Sequence, residues 1–154
     1  MESAKHLLHQ LNDYNVQVNL DMIKHLELSA SANERIALLM SHIVNAHQIW
    51  LERMSGESMS VKVFDVSAYD VLAEQVQKNY MRTKEVIELR NLDETIQYVN
   101  TKRQRFSNSI SEMFLHLFNH STYHRGQINQ LLVQEGKAAM VSDFIVYKRT
   151  EIFE

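Results

Sequence analysis

FLHLFNHSTYHRGQINQ, residues 114–130, places three histidines, His116, His120 and His124, at steps of four. Each residue of an α-helix turns about 100°, so positions four apart lie nearly above one another. Two imidazoles spaced this way can reach a common metal ion, which is why the pair in the HExxH motif works. The apolar residues around the row keep the same period, so the segment predicts a long amphipathic helix. Its apolar face is centred on Ile110, Met113, Phe114, Leu117, Ser121, Ile128 and Leu131. His124 lies just to one side of that centre, His120 further round and His116 further still. His120 and His124 are therefore placed to reach inward, and His116 sits nearer the edge.

Working outward, the chain supplies three more helices of this kind. The last helix is expected from about Asn108 to Glu135, with Ser109-Ile-Ser-Glu112 as a capping box and Gly136 just past its end. Before it, Thr95–Phe106 alternates apolar and polar residues around Asn100-Thr101, which predicts a small two-stranded hairpin. A third helix is expected up to about Arg90, opened by Ser67-Ala-Tyr-Asp70 as a second capping box. Tyr69, Leu72, Ala73, Val76, Tyr80, Thr83 and Ile87 form its apolar side. A second helix spans about Asn33 to Met54, capped by Asn33 and ended by Ser55-Gly56, with Ile36, Leu39, Met40, Ile43, Trp50 and Met54 as its stripe. The first runs from Ser3 to about Leu28 on Leu7, Leu8, Leu11, Tyr14, Val18, Met22, His25 and Leu26. The tail, Lys137–Glu154, reads as an extended segment laid over the helices. The expected fold is all-α: one domain, residues 1–154, built as a four-helix bundle with a hairpin between helices three and four.

Composition narrows the function. The chain of 154 residues carries a net charge of −3, so no basic footprint invites nucleic acid. Cysteine is absent, which removes disulfides, thiolate ligands and a protein thiol nucleophile. With no proline and only three glycines, little interrupts long helices. The opening MESAKHLLHQ has no apolar signal core, and no apolar run reaches the ~18 residues of a membrane span. A soluble, cytoplasmic protein without nucleic-acid or membrane partners is expected.

Two imidazoles do not complete a metal site, since catalytic zinc usually takes three protein ligands and keeps one position open. The second helix offers His42 and His47. His47 lies mid-stripe between Ile43 and Trp50, while His42 lies on the shoulder. His120 also lies on a shoulder, so two facing shoulders could form a lateral pocket. Spacing alone leaves both open, and either could be a core histidine bonded to a hydroxyl.

Ser41-His-Ile-Val-Asn-Ala-His-Gln-Ile-Trp-Leu51, followed by Asn119-His-Ser-Thr-Tyr-His-Arg-Gly-Gln127, resembles the DinB/YfiT-like family of metal-binding four-helix bundles. The resemblance rests on a helix-two histidine eight residues before Trp50 and on HxxxHRGQ in the last helix. It extends over nearly the whole chain, including the hairpin and the closing Asp143-Phe-Ile-Val-Tyr147. It implies that His42, His120 and His124 hold a divalent zinc, nickel or iron ion, with water in the open positions. His47 and His116 then support or pack. Some members resemble thiol S-transferases that use a low-molecular-weight thiol. A metal-dependent transferase or hydrolase acting on a small molecule is therefore expected, and so is a homodimer. The alternative is a non-catalytic, stress-associated bundle in which the metal staples helices two and four. HSTYH lacks the glutamate of HExxH, which argues against a peptidase.

Other residues carry lesser expectations. Gly126 suggests close approach of another helix or the tail. Arg125 and Gln127 are expected to bond the tail or a partner chain, or to be solvated. Asn119 and Tyr123 are candidate supports for the metal ligands, and Trp50 a core anchor. Lys102, Arg103 and Arg105 read as a solvated hairpin tip. His6, His9 and His25 are isolated and receive no role.

Overall fold

The computed structural model describes residues 2–100 and 102–149. Its elements, in order, are helices α1 (Glu2–Ser29), α2 (Glu34–Ser55) and α3 (Tyr69–Leu89), strands β1 (Thr95–Val99) and β2 (Arg105–Ser109), then helices α4 (Ile110–Gln134) and α5 (Phe144–Lys148). The fold is mostly helical, as expected. Helix α1 packs chiefly on α3 and α2 on α4, with further contacts between α2 and α3 and between α1 and α4. Among the described residues no helix is long and apolar enough to cross a membrane.

Local chemistry sets the helix ends. The Asn33 side chain accepts from the Arg35 N–H and opens α2. Gly56, at φ 70°, closes it, with the Gly56 and Glu57 N–H groups returning to the Arg53 and Glu52 carbonyls. Ser109 and Glu112 form a reciprocal capping box at α4. At the other end Gly136 adopts φ 71°, and Lys137 N–H reaches the Leu132 carbonyl at 2.9 Å. The expected box at α3 does not form. Ala68 occupies the N-cap and has no side-chain acceptor, while the Ser67 N–H instead donates to Ser41 Oγ.

The antiparallel hairpin is present, with Tyr98 opposite Phe106 and Thr95 opposite Ser109. Its second strand runs on to Ser109, so α4 starts two residues later than the expected Asn108. The tail differs more. Where an extended segment was expected, Phe144–Lys148 forms a short helix against α1. Phe144 and Tyr147 both pack edge-on against Tyr14, and Tyr147 donates to Asp21. These contacts favour one helical turn over a strand that would have no pairing partner. The rest of the expected segment, residues 150–154, lies outside the described residues.

The core comes in two apolar clusters. One gathers Met22, Leu26, Ile36, Met40, Ile43, Leu72 and Ile128; the other gathers Leu8, Leu51, Met54, Ile87, Ile110, Met113 and Phe114. Between them every long helix turns polar inside: Asn12, Asn15 and Asn19 on α1, His47 on α2, Asn79 and Thr83 on α3, Ser121 and Arg125 on α4, all buried. Buried polar groups are costly unless bonded, and these bond across helices. Asn19 exchanges hydrogen bonds with Ser121, Asn79 donates to the Val44 carbonyl, and His47 Nε2 pairs with Thr83 Oγ1 at 2.8 Å.

Candidate metal centre

His42 comes from the middle of α2, and His120 and His124 from successive turns of α4, which packs against it. Their rings converge. His42 Nε2 lies 2.9 Å from His120 Nε2, and His124 Nε2 lies 3.1 Å from the same atom. One nitrogen from each ring falls within 4.8 Å of the others. Two nitrogens bound about 2.0–2.1 Å from one zinc, at angles of roughly 90–110°, stand about 2.8–3.4 Å apart. The two spacings to His120 Nε2 are already of that size.

The far side of each ring explains why. The Val63 carbonyl lies 3.2 Å from His42 Nδ1, and Gln127 Oε1 lies 2.6 Å from His124 Nδ1. Both are acceptors, so each assigns the ring proton to Nδ1 and leaves a lone pair on Nε2. Those two lone pairs face the third Nε2, on His120. A single proton there can serve only one of them well, whereas a divalent cation would satisfy all three. Backbone or side-chain acceptors behind ligating histidines are the usual device for fixing tautomer and ring orientation.

Electrostatics favours the same state. Burial, with the neighbouring His124, His42 and His116 rings adding to it, drives the His120 pKa down to about 3. Burial also lowers that of His42, partly offset by the Val63 carbonyl. Both rings are therefore neutral at ordinary pH, the form that donates a lone pair to a metal.

The α2–α3 loop closes over His42. Phe64 stacks on the His42 ring at 4.8 Å, and Asn45 holds the loop by donating to the Lys62 and Asp65 carbonyls. Tyr123 packs edge-on against His124 and accepts from Gln127 Nε2 at 3.2 Å.

Of the expected ligands, all three meet. His47 does not join them; it is the buried, hydroxyl-bonded core histidine, its pKa lowered to about 4 by burial. His116 packs between the Trp50 and His120 rings. Tyr123 touches the site directly at His124 and through Gln127, whereas Asn119 is exposed. Three expectations require correction. Gln127 bonds no tail residue among the described residues; it orients His124 and donates to Tyr123. Arg125 is fully buried and bonds Asn15, Asn19, Tyr14, Ser121 and Thr122. It reaches the tail only at second hand, through the Tyr14 hydroxyl that donates to the Ser142 carbonyl. Gly126 has nothing within 4 Å of where a Cβ would stand, so no close approach requires it.

Sequence reasoning missed Asn45, Phe64 and the Val63 carbonyl. A backbone carbonyl leaves no trace in residue identity. Gln127 was findable, since it stands three residues after His124 on one helix face.

The DinB family model matches residues 5–153. The chain belongs to the DinB family. It is 28% identical to Protein DinB of Bacillus subtilis (strain 168) over an alignment covering 90% of this chain and 91% of that protein. No solved structure matches. Within the DinB family, the three converging histidines are compatible with a bound metal ion.

Proposed function

We propose that this DinB-family chain is a single-domain four-helix bundle that binds a divalent metal through His42, His120 and His124, and that it is a metal-dependent enzyme acting on a small molecule. The observation that carries the proposal is the convergence of three imidazole Nε2 atoms, two of them with lone pairs turned inward, that one proton cannot satisfy. Zinc, nickel or iron would each suit a nitrogen donor set.

Three neutral ligands would leave the ion its full charge, lowering the pKa of a water or thiol brought to it. The protein's own residues do the rest. Val63 and Gln127 hold the two outer rings with lone pairs inward. Phe64 and Tyr123 flank the cluster and limit water on those sides. The chain has no cysteine, so any thiol in the chemistry comes from the substrate. A thiol S-transferase using a low-molecular-weight thiol fits this arrangement, and a hydrolase is the neighbouring alternative. Assembly as a homodimer in the cytoplasm is part of the same proposal, and light scattering at micromolar concentration tests the dimer.

The test is turnover. Metal-loaded protein is screened against small thiols paired with electrophiles and against simple esters and amides. Turnover in the wild type that disappears in His42→Ala is the expected result. Full metal occupancy with no turnover across the panel would contradict the enzyme reading. It would leave a bundle whose ion only staples α2 to α4.

A further inference from the structure

Near the histidines, on the hairpin side, lies a charged group that has no ionic partner among the described residues. Arg53, in the last turn of α2, lays its guanidinium over the Trp50 ring at 4.6 Å and the Tyr98 ring at 5.2 Å. The Trp50 ring also touches His116, at 5.1 Å, and His116 lies 5.5 Å from His120. Arg53 is thus linked to His120 through two successive rings, Trp50 and His116.

Its surroundings are unusual for a cation. The residue is only partly exposed, and among the described residues no carboxylate pairs with it, although Lys78, Arg82 and Arg90 each find one. Burial lowers its pKa, opposed by Tyr98. Half-buried charges ordinarily recover hydration energy through an ion pair or hydrogen bonds. Stacking on ring faces uses the flat side of the guanidinium and leaves its edge, with up to five N–H donors, free. That edge fits a planar oxyanion in a two-pronged arrangement.

We propose that Arg53, backed by Trp50, Tyr98 and His116, forms an anion subsite that binds the carboxylate end of the small molecule whose other end reaches the His42/His120/His124 ion. This rests on the metal reading above and adds the substrate's chemical class: a small acid with a metal-seeking group a short chain away. Packing alone would account for a cation on Trp50, but it predicts no preference among ligands.

Trp50 is the chain's only tryptophan, so its fluorescence reports on the subsite directly. Cobalt-loaded protein is titrated with 3-mercaptopropionate and with 2-mercaptoethanol, following the cobalt–thiolate absorption and Trp50 emission together. The expected result is binding of the carboxylate thiol at least about tenfold tighter. Arg53→Met keeps the stem over Trp50 and should bring the two thiols within about twofold; Arg53→Gln should do the same. Equal affinities in the wild type, or an undiminished preference in both variants, would overturn the subsite. Its failure is separable from failure of the metal site. His120→Ala, and wild-type protein that took up no cobalt, are titrated with propionate alone. Saturable Trp50 quenching that Arg53→Met abolishes would support the subsite without the ion, and absence of any such quenching would overturn it.

Discussion

Gln127 decides more at the site than its position on the rim of α4 suggests. Its Oε1 is the acceptor that fixes the His124 ring, and its Nε2 is itself held by Tyr123. Removing such a partner typically costs ten- to a hundredfold in metal affinity. Gln127→Ala should weaken binding by about that factor in competition with a chromogenic chelator; unchanged affinity would contradict its orienting role. His47 supplies a prediction in pH. Its folded pKa, about 4, lies below the ordinary histidine value of 6.5, because burial disfavours the charged ring. The unfolded chain therefore binds the extra proton first as pH falls. Stability from this group is intact above about 6.5 and drains away towards pH 4, on the order of a few kcal/mol in all. Metal-free His47→Gln, melted alongside the wild type between those pH values, should show a flatter decline; parallel declines would contradict this. At this scale the spacing of His120 and His124 was legible, because helical geometry alone aligns them. Spacing did not choose His42 over His47, and only the family resemblance did: both are buried on α2, and the Thr83 hydroxyl and the Val63 carbonyl are what separate a core residue from a site residue.

Helix α4 carries two of the three imidazoles, and its integrity can be tested apart from them. Gly126 sits mid-helix with open space where a side chain would go. Gly126→Ala should stabilise the protein by about 0.5–1 kcal/mol through helix propensity. A loss of stability in denaturant melts would mean that something approaches that position after all. Ser109→Ala breaks the capping box and should cost about 1 kcal/mol, seen in the same melts. The long helices were legible because apolar residues recur at helical spacing over many turns, with Asn33, Gly56, Ser109 and Gly136 marking their ends. Five-residue α5 was not. Asp143–Tyr147 is rich in residues that favour strands, and its helical turn follows from docking Phe144 and Tyr147 onto Tyr14.

Across the whole molecule, a polar layer divides the apolar interior, and the histidine cluster flanks it between α2 and α4. Arg125 is its keystone, wholly buried and bonded to α1 at Tyr14, Asn15 and Asn19. Arg125→Ala would open a cavity and strip one hydrogen bond each from Tyr14, Asn15 and Asn19, leaving Asn15 Oδ1 only Asn19 and Asn19 Oδ1 only Ser121. A cost of about 3–5 kcal/mol is expected by analogy with broken buried polar pairs, with metal affinity falling as α4 loosens. A change below about 1 kcal/mol would contradict the keystone role. Only part of this layer was legible in the sequence, where His47, Thr83 and Ser121 fall on inward faces. Asparagines on the inner face of α1 look like flaws in an apolar stripe until their partners on other helices are known. The most direct test of the whole is metal content. Untagged wild type and His42→Ala are purified without chelator, reconstituted with zinc or nickel in parallel, desalted, and analysed by plasma mass spectrometry beside a fold check by circular dichroism. The converging imidazoles predict about one ion per chain in the wild type and close to none in a folded His42→Ala protein; the same metal content in both would contradict a site shared between the two helices.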